Sequence, residues 1–155
     1  MDMIQRFARL LSEEKIVMKF YGNSFLAKYS SERGYKPWMQ AISDIVAKHF
    51  GKKVVIEDIY EGQPGYDFCR WNFDIRGDGI RFFGSLVFKK SPVDDFGTVS
   101  VGLKRLGTPG VDEDVWLFRD KEFPLSKWED EWDVDKAALA KVEQLVRSSL
   151  KKLKA

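Results

Sequence analysis

The residue types that build most metal and redox sites are almost missing from this chain of 155 residues, which holds one cysteine, Cys69, and one histidine, His49. A single thiol excludes an internal disulfide and a multi-thiolate metal site, and a single imidazole excludes a paired-histidine metal site. An excess of one charge is missing too: 26 basic residues stand against 24 acidic ones, a formal +2. That balance gives no electrostatic footprint for nucleic acid, which is disfavoured as a partner. No apolar run approaches the roughly 18 residues that would span a bilayer. The opening Met1-Asp2-Met3-Ile4-Gln5-Arg6 carries an acid where a signal peptide carries positive charge. The expectation is a cytoplasmic chain in a reducing compartment, without a membrane segment, cofactor or metal. There is no Walker loop, G-x-G-x-x-G, His-Glu-x-x-His or G-x-S-x-G. With no repeat, low-complexity tract or linker, residues 1–155 are expected to form a single α+β domain.

What is present is apolar patterning. Hydrophobic residues make up 44% of the chain and aromatic ones 14%, enough for a core that buries roughly 70% of the unfolded surface. Asp2 and Gln5 have capping-box spacing, and Ile4, Phe7, Leu10 and Leu11 follow on one helical face, so a helix is predicted over 3–14. Residues 15–30 are ambiguous. Ile16, Met18 and Phe20, then Phe25, Ala27 and Tyr29, alternate about Gly22-Asn23 as in a hairpin, while a broken helix fits as well. Pro37 suits a first helical position. Trp38, Ala41, Ile42, Ile45, Val46 and His49 then mark a helix over 37–50, closed by Gly51.

The strongest signal lies in the middle of the chain. Val54-Val55-Ile56 begins a sheet, and Cys69 to Arg76 alternates strictly between apolar and polar. Asp78-Gly79 predicts a type I′ hairpin turn. Counting outwards sets Gly77 against Ile80, Ile75 against Phe82, Phe73 against Gly84, Trp71 against Leu86 and Cys69 against Phe88, so the apolar faces coincide. Val99, Val101 and Leu103 extend the meander after a turn over 91–95, and Val115-Trp116-Leu117-Phe118 adds a short strand. A last helix is predicted from Asp133 or Asp135. Leu139, Val142, Val146, Leu150 and Leu153 form its inner stripe, flanked by Ala138, Leu145 and Ser149. The fold class that follows is α+β: an antiparallel β-meander with N-terminal helices and a long C-terminal helix packed on one face. In element order alone, strands closed by a long C-terminal helix, this resembles the helix-grip ligand-binding folds.

Candidate sites follow from the same register. The polar face of the hairpin carries Arg70, Asn72, Asp74 and Arg76 on one strand and Arg81, Ser85 and Lys89 on the other. Arg76 opposes Arg81, a like-charge pair that Asp74, solvent or a bound acidic group must relieve. Trp128 and Trp132 lie four apart in an acidic run. They form either an interface patch or a latch that docks the last helix. Trp71, Phe73, Phe82, Phe88, Trp116 and Phe118 form either a plain core or the lining of a cavity. His49 suits a structural place at a helix end. An enzyme using Asp74, Glu57 or His49 would need a cleft in which these groups converge.

The sequence thus favours a small non-enzymatic protein-binding domain of adaptor, regulatory or toxin-neutralising type, acting by surface occlusion. Its partner-binding residues would be Arg70, Asn72, Asp74, Arg76, Arg81, Trp128 and Trp132. The alternative is a carrier of a small apolar or amphipathic ligand, held between sheet and C-terminal helix by Trp71, Phe73, Phe82, Phe88 and Trp116.

Overall fold

The computed structural model describes residues 24–62, 67–91, 97–125 and 134–153. In chain order these form α1 (Ser24–Tyr29), α2 (Glu32–Phe50), β1 (Val54–Glu61), β2 (Phe68–Gly77), β3 (Ile80–Lys90), β4 (Gly97–Arg105), β5 (Val115–Leu125) and α3 (Lys136–Lys152). The expected helix over 3–14, residues 15–23 and most of the turn over 91–95 lie outside the described residues.

The β2–β3 hairpin has the register that the alternation dictates. Gly77 pairs with Ile80, Ile75 with Phe82, Phe73 with Gly84, Trp71 with Leu86 and Cys69 with Phe88. Only Gly79 of the two turn residues has positive φ, at 73°. A type I′ turn needs positive φ at both positions, so the hairpin closes with the sign pattern of a type II turn instead. Every strand pairs with its sequence neighbour, giving one antiparallel sheet in the order β1-β2-β3-β4-β5.

Period-two alternation sends Trp71, Phe73 and Ile75 of β2, Phe82, Leu86 and Phe88 of β3, and Val99, Val101 and Leu103 of β4 to one face, all buried. Against that face pack α1, α2 and α3, contributing Phe25, Trp38, Ile42, Val46, Val142, Val146 and Leu150. Burying each such side chain contributes on the order of 1.5–3 kcal/mol. Phe73 is accommodated because its ring lies over Gly84, where a Cβ would meet Cζ and would stand 2.6 Å from Cε1. The α+β class and the one-sided helix layer are thus those that the element order indicates. No described helix is long and apolar enough to cross a membrane.

One ambiguity is resolved and three local expectations are corrected. Of the two readings left open for this stretch, residues 25–29 take the helical one and are buried at every position. α2 starts at Glu32, five residues before the expected first turn, and carries Pro37 inside it. Its early turns lie close to α1: a Cβ on Gly34 would collide with the Lys28 carbonyl oxygen. At the other end Gly51 caps the helix in the left-handed conformation at φ 62°, as the sequence implies. β5 runs on past Phe118 to Leu125, through the charged stretch Arg119 to Glu122, with Asp120 at φ 52° where the pairing with β4 shifts. In α3, capped by the Asp135 side chain accepting from Ala138 N–H at 3.1 Å, the expected flanks Ala138 and Ser149 are buried, whereas Leu139 of the expected inner stripe is only half-buried; Leu145 is half-buried, as a flank should be.

Candidate functional site

The alternation that buries one face of the sheet leaves the other uncovered by any described helix. Cross-strand pairing lines up its side chains in rows. Val55, Arg76 and Arg81 form one row; Glu57, Asp74, Phe83, Lys104 and Trp116 form the next; Tyr60, Asn72, Ser85 and Gly102 form a third. Arg70, Val87, Ser100 and Glu122 follow. Of the expected partner-binding residues, Arg70, Asn72, Asp74, Arg76 and Arg81 stand together on this face, with Arg70 and Arg81 exposed. Trp128 and Trp132 lie outside the described residues.

Arg76 does oppose Arg81 in the ladder, and the charge is relieved from within the protein. Arg76 Nε lies 3.3 Å from Glu57 Oε2, and Nη2 lies 3.7 Å from Asp74 Oδ2 and 4.0 Å from Asp58 Oδ2. The Nε–H is close to Glu57 but makes no hydrogen bond among the described residues. Asp58 reaches the cluster from a β-bulge in β1, where its φ is 51°. Partial burial pushes the Asp74 carboxyl above the ordinary aspartate range; Arg76 pulls it down, Asp58 pushes it up, and the upward effects win. This end of the face is an acid-rich cluster around one guanidinium.

The opposite end is aromatic and basic. Lys104 sits between Phe83 and Trp116 in its row. Its ammonium is 5.3 Å from the Phe83 ring centre and 5.0 Å from that of Trp116. Arg119 lies over Trp116 at 4.9 Å, and the Phe83 and Trp116 rings meet edge to face at 6.4 Å. Gly102 leaves room for the indole, since a Cβ there would stand 3.2 Å from Trp116 Cζ3. Asp114 closes the border: its Oδ1 accepts from Gly107 N–H at 2.8 Å, and Oδ2 is 3.8 Å from Lys104. Sequence reasoning missed Phe83, Lys104 and Arg119. The available signal was Phe83, an aromatic residue at a polar-face position of β3.

The six aromatic residues considered for a cavity divide between the two faces, with Phe118 buried in the core. Trp71 stacks on Tyr35 at 3.7 Å and its Nε1–H donates to the Tyr29 carbonyl at 2.8 Å. Phe88 stacks on Tyr29 at 4.2 Å and meets Trp38 edge-on at 5.7 Å, Phe82 contacts Phe50 at 6.0 Å, and Phe73 lies on Gly84. Each of these four thus packs on a neighbouring ring or on the backbone. Trp116 points the other way, onto the uncovered face, because it pairs with Lys104 and not with an inward residue. His49 is exposed at the end of α2, where its ring meets Phe50 at 4.9 Å, remote from Asp74 and Glu57 on the other side of the sheet. Among the described residues, no group of three or more His, Cys, Asp or Glu side chains has the geometry to hold a metal ion.

A groove of about 640 Å³ runs between α2 and α3, lined by Ala41, Ile45, His49, Arg147 and Leu150. A second, of about 710 Å³, separates α2 from the edge strand β1 and exposes Val55 and Ile59. Neither is lined by the aromatic residues of the expected cavity. Comparison with protein-family models, curated proteins and solved structures finds no match to this chain.

Proposed function

We propose that this chain is a small, non-enzymatic cytoplasmic domain that binds another polypeptide through the uncovered face of its sheet. It would act by occlusion, as an adaptor, regulator or toxin-neutralising protein does. The observation that carries this reading is the half-buried pair Phe83 and Trp116, standing with Lys104 and Arg119 on a face that no described helix covers. Aromatic residues and arginine are the side chains on which interfaces concentrate binding energy, and a rigid sheet offers them with little ordering cost. Charges of both signs around them select a partner by repulsion as well as attraction. The second reading, a carrier of a small apolar ligand, draws no support from the inward aromatics, which are engaged with Tyr29, Tyr35, Trp38 and Phe50.

The test is site-specific photocrosslinking in the native host, with benzoyl-phenylalanine placed at Phe83 and, separately, at Ala41 in the α2–α3 groove. The expected result is a discrete polypeptide adduct from position 83 and none from position 41. Adducts confined to position 41, or none from either, refute the assignment of the sheet face.

A further inference from the structure

We propose that the β3–β5 half of the uncovered face receives an extended acidic polypeptide segment, with Lys104 and Arg119 meeting its carboxylates over a floor of Phe83 and Trp116. This rests on reading the open face as a protein-binding surface and adds the chemistry of the partner. The argument is charge complementarity on a polarised face. In the β1–β2 half, Glu57, Asp58 and Asp74 stand against Arg76 and the exposed Arg70, so the carboxylates outnumber the cations there. In the β3–β5 half, Arg81, Lys89, Lys104 and Arg119 stand against Glu122, the bordering Asp114 and Asp120, whose carboxylate lies 3.8 Å from Arg119 Nε, so the cations outnumber the carboxylates there. An acidic chain is attracted to one half and repelled by the other, which fixes where it lies.

The two central cations are built differently from ordinary surface lysines and arginines. Lys104 is 25% exposed, held in a strand between two aromatic rings. A carboxylate therefore meets it in partly desolvated surroundings, where attraction is stronger than in bulk water. Asp114, 3.8 Å away, shows that a carboxylate approaches this ammonium without displacing the rings. Arg119 remains 66% exposed above the indole, with its Nε 3.8 Å from the exposed Asp120 carboxylate and its Nη groups outside that pair. Lys104 and Arg119 lie 5.0 and 4.9 Å from the same ring centre, so the two cations are within about 10 Å of each other. In an extended peptide, side chains two residues apart point the same way about 6.5–7 Å apart. Acids at alternate positions therefore fall within the span that this bound allows. The cations over Trp116 occupy ring surface that a nucleic-acid base would need for stacking, which favours carboxylates over a single-stranded nucleic acid.

The test is fluorescence anisotropy on the full chain with three probes: a labelled dodecapeptide of alternating glutamate and serine, its lysine counterpart, and an oligothymidylate of equal length. Expected is binding of the glutamate peptide that weakens with added salt. Arg119→Glu should cut affinity by about tenfold or more, the scale of a lost contact to a charged group. Arg119→Gln should give a smaller loss, and Lys36→Glu, the same charge reversal on α2, should change it less than about twofold. Circular dichroism confirms that each variant is folded. The proposal is overturned if the glutamate peptide does not bind, if Lys36→Glu and Arg119→Glu weaken it equally, or if the lysine peptide or oligothymidylate binds more tightly. A position-83 crosslink that persists while the glutamate peptide fails would discard the acidic partner and retain the protein-binding surface.

Discussion

Replacing Gly84 with alanine tests the packing that fixes the central hairpin. Glycine inside a strand normally lowers stability by roughly 0.5–1 kcal/mol relative to alanine, so on propensity alone the change should help. Here the new methyl would land on the Phe73 ring, meeting Cζ and standing 2.6 and 2.8 Å from Cε1 and Cε2. Phe73 is wholly buried beneath the helices and has nowhere to swing. Overpacking of such a site costs about 1–3 kcal/mol. Set against the propensity gain, the net loss is about 1–2 kcal/mol, or a few degrees in Tm for a domain of this size. Urea unfolding followed by tryptophan fluorescence measures it. Phe73→Leu alone should also destabilise, but Gly84→Ala combined with Phe73→Leu should cost less than the two single losses together. A neutral or stabilising Gly84→Ala, or single effects that add to within about 0.3–0.5 kcal/mol, would refute the contact.

Gly34→Ala should likewise destabilise, although alanine is the better helix former by about 1 kcal/mol, because its Cβ would collide with the Lys28 carbonyl oxygen; calorimetry showing a raised Tm would contradict this. Trp71→Ala should cost about 3–5 kcal/mol through loss of the Tyr35 stack and the hydrogen bond to Tyr29, whereas Trp116→Ala, on the uncovered face, should cost much less; equal losses in denaturant titrations would place both indoles inside. Because the Asp74 carboxyl titrates above its ordinary range, the folded state holds that proton more tightly than the unfolded state, and the stability it contributes is present in acid and lost as pH rises through the folded pKa. Asp74→Asn should therefore gain stability on the wild type as pH rises from the ordinary aspartate range to neutrality, and a gain that is constant across that range in pH-dependent unfolding rules this out. Burial pushes the Cys69 thiol up to about 12, so an aromatic disulfide reagent should label it only on unfolding, and rapid labelling of native protein would show that the site opens.

The hairpin was legible because two independent signals agreed, strict alternation from Cys69 to Arg76 and a turn dipeptide that fixes the register. α1 was not, since residues 25–29 are buried all round and such a short apolar run has no periodicity to separate helix from strand. The start of α2 was hidden by Gly34 and by Pro37, which the helix carries in its interior. β5 was curtailed by the run Arg119-Asp120-Lys121-Glu122, which looks like a loop but spans a bulge at a sheet edge. The same irregularity accounts for Trp116. Four successive apolar residues leave the inward face undetermined, and the shifted pairing with β4 turns this indole outward. For the candidate site, the Arg76 and Arg81 opposition was readable from the hairpin alone. Glu57 and Asp58 as its relief, and Lys104 between Phe83 and Trp116, depend on strand pairings that no local pattern encodes.

The claim on which the functional account stands is that the face bearing Asn72, Ser85 and Gly102 is open to a partner. In a Cys69→Ser background, a cysteine introduced at Ser85, the middle of that face, is tested with a maleimide in the folded protein. The account requires labelling near the rate of a free thiol and strong protection once the polypeptide captured at position 83 is added. A Ser85→Cys thiol that is inert in the folded protein alone, or that stays equally reactive with the partner bound, would contradict it.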